Sequence, residues 1–455
     1  MANHERIHPN LEVSPVENST RGVAADDIPE EMIHRIQSFM DARLAARSTL
    51  LFKSWHLAWL TRPDLDFRDE DFRSRLIEFP AFAINTMQRY EDLELWIYTF
   101  RLEMVNIADH YLATKLITKA IKLGATNLTL RIRREGLYMM FSLPNEVLYS
   151  ETLAGLSARE CVINLQFGEK EVSWSNLKTL NLSYVVTHGD LLIDLISKCP
   201  SIEEITLDST RSMRFLGGPR QLTPSCDSMI QLHKLKSLQM YRLDNSDNIY
   251  RHDLWPRFPW LKELVIWAYN SDYDWNGLRI CSQSLELITL YMYDNKITNG
   301  KFDVPNIRKF KVVGVHMPQL DEFKTSSGRE WESDIQIEYD HITVSWFSSL
   351  RKLLRMLSPS RISLTVCMAY SNTAKLFFGA GDGLPIPVVE NLTILGYPIM
   401  FSFSFFLSDL FCSCDPSLVI VDPRFMGEVN LAAAFQELSE ALLANSRIPP
   451  HFQLR

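Results

Sequence analysis

The sequence predicts an α/β fold, a solenoid of short parallel strands that follows a small all-helical module. Three observations predict it. An apolar-x-x-apolar-x-apolar pattern recurs along most of the chain, residues 26 to 67 carry helical rather than strand periodicity, and glycine and proline supply only 17 and 21 of 455 residues, too few for a loop-rich protein.

The clearest copies of the pattern are Leu177-Lys-Thr-Leu180-Asn-Leu182, Ile202-Glu-Glu-Ile205-Thr-Leu207, Leu235-Lys-Ser-Leu238-Gln-Met240, Leu261-Lys-Glu-Leu264-Val-Ile266, Leu285-Glu-Leu-Ile288-Thr-Leu290 and Ile307-Arg-Lys-Phe310-Lys-Val312. Their starts lie 25, 33, 26, 24 and 22 residues apart. The same spacing finds Ile97-x-x-Phe100-x-Leu102, a degenerate copy at Leu128 and Leu130, and one beginning Leu153-x-x-Leu156. Downstream it returns near Ile335/Ile337, Ile362/Leu364, Leu392/Ile394 and Leu418/Ile420, making about thirteen units over positions 97 to 420. A period of roughly 20 to 29 residues is that of leucine-rich repeats, each giving one strand and a helical or irregular return. One such strand buries a single face, so stacking the units is what makes a core. Helical returns are expected at Ile107 to Leu123, with Leu112, Leu116, Ile117 and Ala120 on one face, and at Leu191 to Ile196 before Cys199-Pro200. The position where many such repeats carry asparagine holds Val185, Thr210, Leu243, Tyr269, Tyr293 and Val315, which predicts an irregular solenoid without an asparagine ladder.

In the helical module, the stretch Pro29 to Met40 opens with proline and the acids Glu30 and Glu31, which suit a helix N-terminus. A second helix is expected from Leu44 through Leu51. A third carries Trp55 and Trp59 four residues apart, hence on one face. Three short helices make a core too small to stand alone, so part of their apolar surface is expected to meet a partner. The chain then divides into a disordered leader (1–25), this module (26–67), a helical linker (68–92), the solenoid (93–421) and a C-terminal helical cap and tail (422–455), with Ala432 to Leu443 as an amphipathic helix.

Ile28-Pro29-Glu30-Glu31-Met32-Ile33-His34-Arg35-Ile36, then Arg47-Ser48-Thr49-Leu50-Leu51-Phe52-Lys53-Ser54-Trp55 and Trp59-x-x-x-Pro63-x-Leu65, resembles an F-box. With Asp66-Phe67, Phe100-Arg101-Leu102, Cys199-Pro200 and Val304-Pro305-Asn306-Ile307, most of residues 26 to 420 resembles the plant F-box/leucine-rich-repeat family. The resemblance implies the substrate-recognition subunit of an SCF-type ubiquitin ligase, with cullin and RING subunits reached through a Skp-type adaptor. It implies adaptor contacts at Ile28, Pro29, Ile33, Ile36, Leu50, Leu51, Trp55 and Trp59, and a protein target held by the repeats. Such a receptor performs no bond chemistry itself, and its location is cytoplasmic or nuclear. Three departures, Ile28 in place of leucine, Asp41 in place of proline and Ser54 in place of a basic residue, fit an alternative: a binding scaffold whose F-box does not engage the ligase.

One target surface is readable from spacing. In three consecutive repeats the residue after the last core apolar is Tyr241, Trp267 and Tyr291, and adjacent strands lie ~4.8 Å apart, so these rings are expected to form a stripe across the concave sheet. Either a partner, a loop such as Phe215 to Ser228, or the terminal segment would cover it.

Other classes are disfavoured. A net charge of −8 without a Lys/Arg block offers no footprint for nucleic acid or an anionic membrane, and the apolar stretch Pro398 to Phe411 is too short to span. Seven scattered cysteines read as reduced thiols, and Cys412-Ser-Cys414 lacks a second pair or a nearby histidine for zinc. Gly379-Ala-Gly381-Asp-Gly383 lacks a following Lys-Ser/Thr and reads as a turn, while His188-Gly-Asp190 and His252-Asp253 read as a cap and a turn. No metal or cofactor is expected, and the sequence names no small-molecule ligand.

Overall fold

The computed structural model describes residues 28–40, 42–50, 52–73, 75–133, 140–163, 174–188, 199–209, 211–213, 232–241, 255, 258–268, 274–293, 296–326, 328, 330–339, 344–368, 384–395, 403–422 and 451–454. The chain forms two compact units, residues 1–66 and 67–455. The expected helices at Leu191 to Ile196 and Ala432 to Leu443, and the Phe215 to Ser228 insertion, lie outside the described residues.

The first unit contains α1 (Glu30–Ser38), α2 (Ala42–Ser48) and α3 (Lys53–Thr61). Pro29 caps α1, its carbonyl accepting from the Met32 and Ile33 amides at 3.0 and 3.1 Å. Ile33, Trp55 and Ala58 form the core, flanked by the half-buried Ile28, Ile36 and Met40. Gln37 braces the three helices from inside: its Nε2 donates to Ser48 Oγ and to the Trp55 carbonyl, both at 3.1 Å. At the rim, Thr61 Oγ1 donates to Glu30 Oε1 at 2.9 Å and lies 3.2 Å from His34 Nε2, tying α3 back to α1.

The second unit is organised by one parallel sheet whose fifteen described strands lie in chain order. They are β1 (Asp64–Arg68), β2 (Thr99–Met104), β3 (Asn127–Ile132), β4 (Gly155–Arg159), β5 (Thr179–Ser183), β6 (Glu204–Asp208), β7 (Ser237–Tyr241), β8 (Glu263–Ala268), β9 (Leu287–Met292), β10 (Lys309–Gly314), β11 (Glu332–Tyr339), β12 (Arg361–Met368), β13 (Val388–Leu395), β14 (Asp415–Asp422) and β15 (His451–Leu454). Every repeat copy supplies one strand, β2 to β14, and the copies align without slippage from Phe100 through Phe310; in β11 the register places Ser333 and Ile335, two residues earlier than the expected Ile335 and Ile337, opposite Phe310 and Val312. Such order follows from the period of two: in β7 the alternate residues Leu238 and Met240 are buried, while Ser237, Gln239 and Tyr241 stay half-buried on the other face.

Two strands stand where none was expected, Asp64–Arg68 ahead of the repeats and His451–Leu454 in the tail. The phase of β14 also differs from the expectation at Leu418/Ile420. Val419 and Val421 enter the core there, and Leu418 and Ile420 pair in register with His451 and Gln453 on the opposite face. Both alternating sets of β14 are apolar, so composition alone does not distinguish its buried face.

Repeat length limits the return. Strands β8, β9, β10 and β11 start 24, 22 and 23 residues apart, too close for a strand, two turns and a helix. Their returns are short strands, Arg279–Cys281, Gly300–Asp303 and Leu320–Lys324, joined in a second parallel sheet. Phe302, Phe310, Phe323 and Trp331 fill the space between the sheets, with ring centroids 4.9 to 5.4 Å apart. Three longer repeats hold helices, whereas the described returns in the 28-residue spacing after β3 and the 33-residue spacing after β6 include the short strands Phe141–Ser142 and Arg211–Met213. The 28 residues from the start of β2 to that of β3 contain a helix, His110–Lys122; Val344–Met356 and Phe403–Ser413 occupy spacings of 29 and 27. In the first of these Asp109 caps the N-terminus at 2.9 Å, Leu112, Ala113, Leu116, Ile117 and Ala120 are buried, and Gly124 closes the C-terminus at φ +87°.

In place of an asparagine ladder, three consecutive strands end in a left-handed residue, Glu160, Tyr184 and Ser209. Each donates its amide to the last strand residue of the following repeat, at 3.0, 2.7 and 2.8 Å. The chain thus leaves the sheet without orphaning that donor. Sheet crowding is tightest at Gly314, where a Cβ would collide with the Met292 carbonyl, whereas at Gly155 it would meet the movable Asn127 side chain. Gly314→Ala is therefore expected to destabilise by about 1 to 3 kcal/mol and Gly155→Ala by less, in parallel denaturant titrations of the two variants.

Candidate functional site

The first unit sorts its apolar residues into two groups. Ile33 and Trp55 are 0% and 8% exposed and belong to the core, so they hold the helices together rather than present a surface. Ile28 and Ile36 pack half-buried against that core. Pro29 stands exposed, and Leu50, in the turn after α2, is 86% exposed. Trp59 is half-buried under the Arg62 guanidinium, whose carbon sits 3.7 Å from the ring centroid. Leu51 lies outside the described residues.

Met32, Phe39, Leu44, Phe52 and Leu57 join Leu50 as exposed large apolar side chains, none of which was among the expected contact residues. Helical spacing alone hid them. Met32 precedes the buried Ile33 by one residue, and Phe39 follows α1, where the periodicity that marks the core has ended. Six large apolar groups in solvent on so small a unit are more than its own packing uses.

On the second unit, the register places Asp208, Tyr241, Trp267 and Tyr291 in one row across β6 to β9. Trp267 sits at its centre, 6.0 Å from the Tyr241 ring, 5.1 Å from Tyr291 and 5.9 Å from Tyr293. All four rings are half-buried on the face opposite the core. The Tyr241 hydroxyl donates to Gln239 Oε1 at 3.0 Å. Burial first, then Tyr291, Glu263 and Asp208, hold this phenol above its usual range. Tyr293 is likewise raised by burial and then by Glu338, Tyr291 and Cys367, so both hydroxyls stay protonated donors at neutral pH. Toward β3 the same face turns small and polar, with Thr129, Ser157, Asn181 and Thr206 in one row.

Cys412 is exposed, whereas Cys414 is buried and donates through Sγ to the Leu410 carbonyl at 3.4 Å. The two thiols of that pair thus face different surroundings, and among the described residues no three metal-ligating side chains converge. Burial pushes the Cys161 thiol up to about 12 and raises Cys414 as well. A thiol of raised pKa supplies no thiolate until pH approaches that value, so Cys161 and Cys414 are expected to resist iodoacetamide from pH 7 to 9. The exposed Cys412 is expected to alkylate, and the exposed Cys281, whose thiol is also raised by burial and by Asp303, to alkylate more slowly, as peptide mass spectrometry of the native protein would show. No helix among the described residues is long and apolar enough to cross a membrane.

No family model matches the chain. Among curated proteins, a putative F-box/LRR-repeat protein of Arabidopsis thaliana is 28% identical over 208 residues, 41% of this chain and 38% of the relative. A second is 27% identical over 240 residues, 48% of this chain and 45% of the relative. An F-box/LRR-repeat protein of the same plant is 30% identical over 195 residues, 40% of this chain and 58% of its own length. The chain therefore spans about two fifths to three fifths of the length of these relatives. Joined to the strand-per-repeat parallel sheet, these matches make the chain a relative of the plant F-box/leucine-rich-repeat proteins.

Proposed function

We propose that this chain is a substrate-recognition subunit of an SCF-type ubiquitin ligase. Its three-helix unit acts as the F-box and binds a Skp-type adaptor, and the open face of the repeat sheet holds the protein to be ubiquitinated. The observation that carries the reading is the division of labour within α1 to α3. Ile33, Trp55 and Ala58 fill the core, leaving Pro29, Leu50 and their exposed apolar neighbours available to a partner. Burying such a surface stabilises a complex by about 25 cal/mol for each Å² of apolar area removed from water, before association costs.

The chain's own contribution is proximity. A target held on a rigid sheet, near a conjugating enzyme brought by the other subunits, reacts as if intramolecular, and the receptor needs no catalytic group. Cytoplasmic or nuclear residence follows from this role.

The test is co-expression with a Skp-type adaptor. A stoichiometric complex on size exclusion, lost in a Pro29→Ala/Leu50→Ala/Leu51→Ala variant that keeps its helical circular dichroism, is the expected result. A folded chain that ignores the adaptor would overturn the ligase reading and favour the scaffold.

A further inference from the structure

Three and four strands from Tyr241, the open face carries a pair of arginines in place of rings. Arg131 on β3 and Arg159 on β4 are register partners, on the face opposite the buried Leu130 and Ala158. Two carboxylates come near them. Glu103 stands in register with Arg131 but is taken up by Arg101 of its own strand, whose Nε donates to Oε1 at 3.0 Å. Glu160 is shared: its Oε1 lies 3.5 Å from Arg159 Nε and 4.0 Å from Arg131 Nη2, both longer than the about 2.7 to 2.9 Å of a charge-assisted hydrogen bond. Arg159 also packs over the Tyr184 ring, 5.3 Å from its centroid. The arginines stand further out than the acids, with 37% and 45% of their side chains exposed against 17% and 27% for Glu103 and Glu160. Close by, Arg133 donates through Nη1 to the Asn106 carbonyl at 3.4 Å.

Beside the arginines the sheet is recessed. Thr129 and Ser157 stand two residues earlier on the same face, with Asn181 next to them on β5, and they line an open recess of about 300 Å³. Their short side chains set a low floor of hydroxyl and amide groups next to the longer guanidiniums. Glu204, the acid in this lining, lies at the opposite end of the recess, at the start of β6. From two arginines sharing one carboxylate at the edge of this polar recess, we infer that this end of the face binds a glutamate- or aspartate-bearing segment of the target protein. A planar carboxylate matches the guanidinium fork and accepts from both arginines, and the hydroxyls of the floor add weaker donors. Arg131 Nε is buried, so its part in the contact falls to its Nη atoms. Arg131, Arg159 and Glu160 together carry one excess positive charge, which one carboxylate balances and a phosphate of about two negative charges overfills. The net charge of −8 repels an acidic segment at long range, so diffuse attraction does not account for its binding.

This inference rests on the reading of the open sheet face as the target site. Fluorescein-labelled (Gly-Ser-Glu)4, with glutamine, lysine and phosphoserine counterparts in place of glutamate, would be titrated by anisotropy with the full chain. The expected result is tightest binding of the glutamate peptide. Its affinity falls about tenfold in Arg131→Gln/Arg159→Gln and holds in Lys262→Gln/Arg308→Gln, which removes the same two charges from around Glu286 instead. Each variant would first be checked for an unchanged melting profile. A glutamine peptide bound as well as the glutamate one, with the same loss in the Arg131/Arg159 variant, would overturn the acidic preference and leave the face as a binding site. Tighter binding of the phosphoserine peptide, lost in that variant, would overturn the choice of a carboxylate. A glutamate peptide that ignores the chain, or binds both double variants alike, would overturn the arginine site. Hydrogen exchange with that peptide present separates this from failure of the wider reading: added protection on β6 to β9 keeps the open face as the target site, and protection away from the sheet overturns both.

Discussion

Replacing Asp69 by alanine is expected to destabilise the start of the second unit by about 3 kcal/mol, among the largest effects of any single polar substitution in this chain. Asp69 follows β1 in a short 3-10 turn, Asp69–Phe72, and is 0% exposed. Its Oδ2 accepts from the Asn106 and Ile107 amides at 2.6 and 2.7 Å, and its Oδ1 accepts from Asn106 Nδ2 at 3.1 Å. One carboxylate thereby satisfies two backbone donors of the loop after β2. Alanine would leave the amides of the exposed Asn106 and the half-buried Ile107 without their acceptor, a cost of about 1 to 3 kcal/mol each where water does not replace it, offset in part because a buried charge no longer has to be desolvated. Asparagine, isosteric but neutral, is expected to recover part of the loss. The surrounding rings, Phe67 against Phe82 and Phe100 at 5.9 and 5.7 Å, hold the neighbouring end of the sheet, so opening is expected to be local. Hydrogen exchange is the measurement. Residues 67–72 and 99–107 should lose protection in Asp69→Ala while β8 to β10 keep theirs, as expected of a solenoid whose repeats contact only their neighbours. Uniform loss across the sheet would contradict that locality.

The second large effect separates core from surface in the first unit. Ile33→Ala removes one of three residues at the centre of a very small core and is expected to cost about 2 to 4 kcal/mol, enough to unfold α1 to α3. Leu50→Asp removes nothing from that core, because Leu50 stands in solvent. Its helical circular dichroism should match the parent. Adaptor affinity, on the proposed reading, should fall by about 2 kcal/mol or more, roughly thirtyfold, as for a central interface leucine. Measured by calorimetry against a Skp-type adaptor, the pair discriminates two ways of losing a partner: Ile33→Ala loses it by unfolding, Leu50→Asp while folded. Full affinity in Leu50→Asp would remove the turn after α2 from the interface.

Residue patterns made the repeat strands readable because strand alternation is local. Leu238 and Met240 enter the core and Gln239 and Tyr241 leave it for reasons contained in five residues, Ser237–Tyr241. The same locality made the stripe of Tyr241, Trp267 and Tyr291 predictable: once each copy supplies a strand, parallel register fixes which rings become neighbours. Tyr293 was less legible, since it follows β9. Asp69 carried no signal at all. Its partners are 37 and 38 residues away in sequence, and an aspartate after a strand is ordinarily a solvent-facing turn residue.

By itself, then, the sequence determined the number and phase of most strands, the helical face of His110–Lys122 and the presence of a separate helical unit, all properties of short-range periodicity. Tertiary structure decided whatever depends on competition between faces. It sent Ile33 and Trp55 inward while leaving Leu50 outside, because three helices can bury only the side chains that point at their common axis. It reversed Leu418 and Ile420 against Val419 and Val421, because β14 is apolar on both faces and only stacking on β13 chooses between them. It turned the returns of the short repeats into strands, because about 23 residues do not contain a strand, two turns and a helix together.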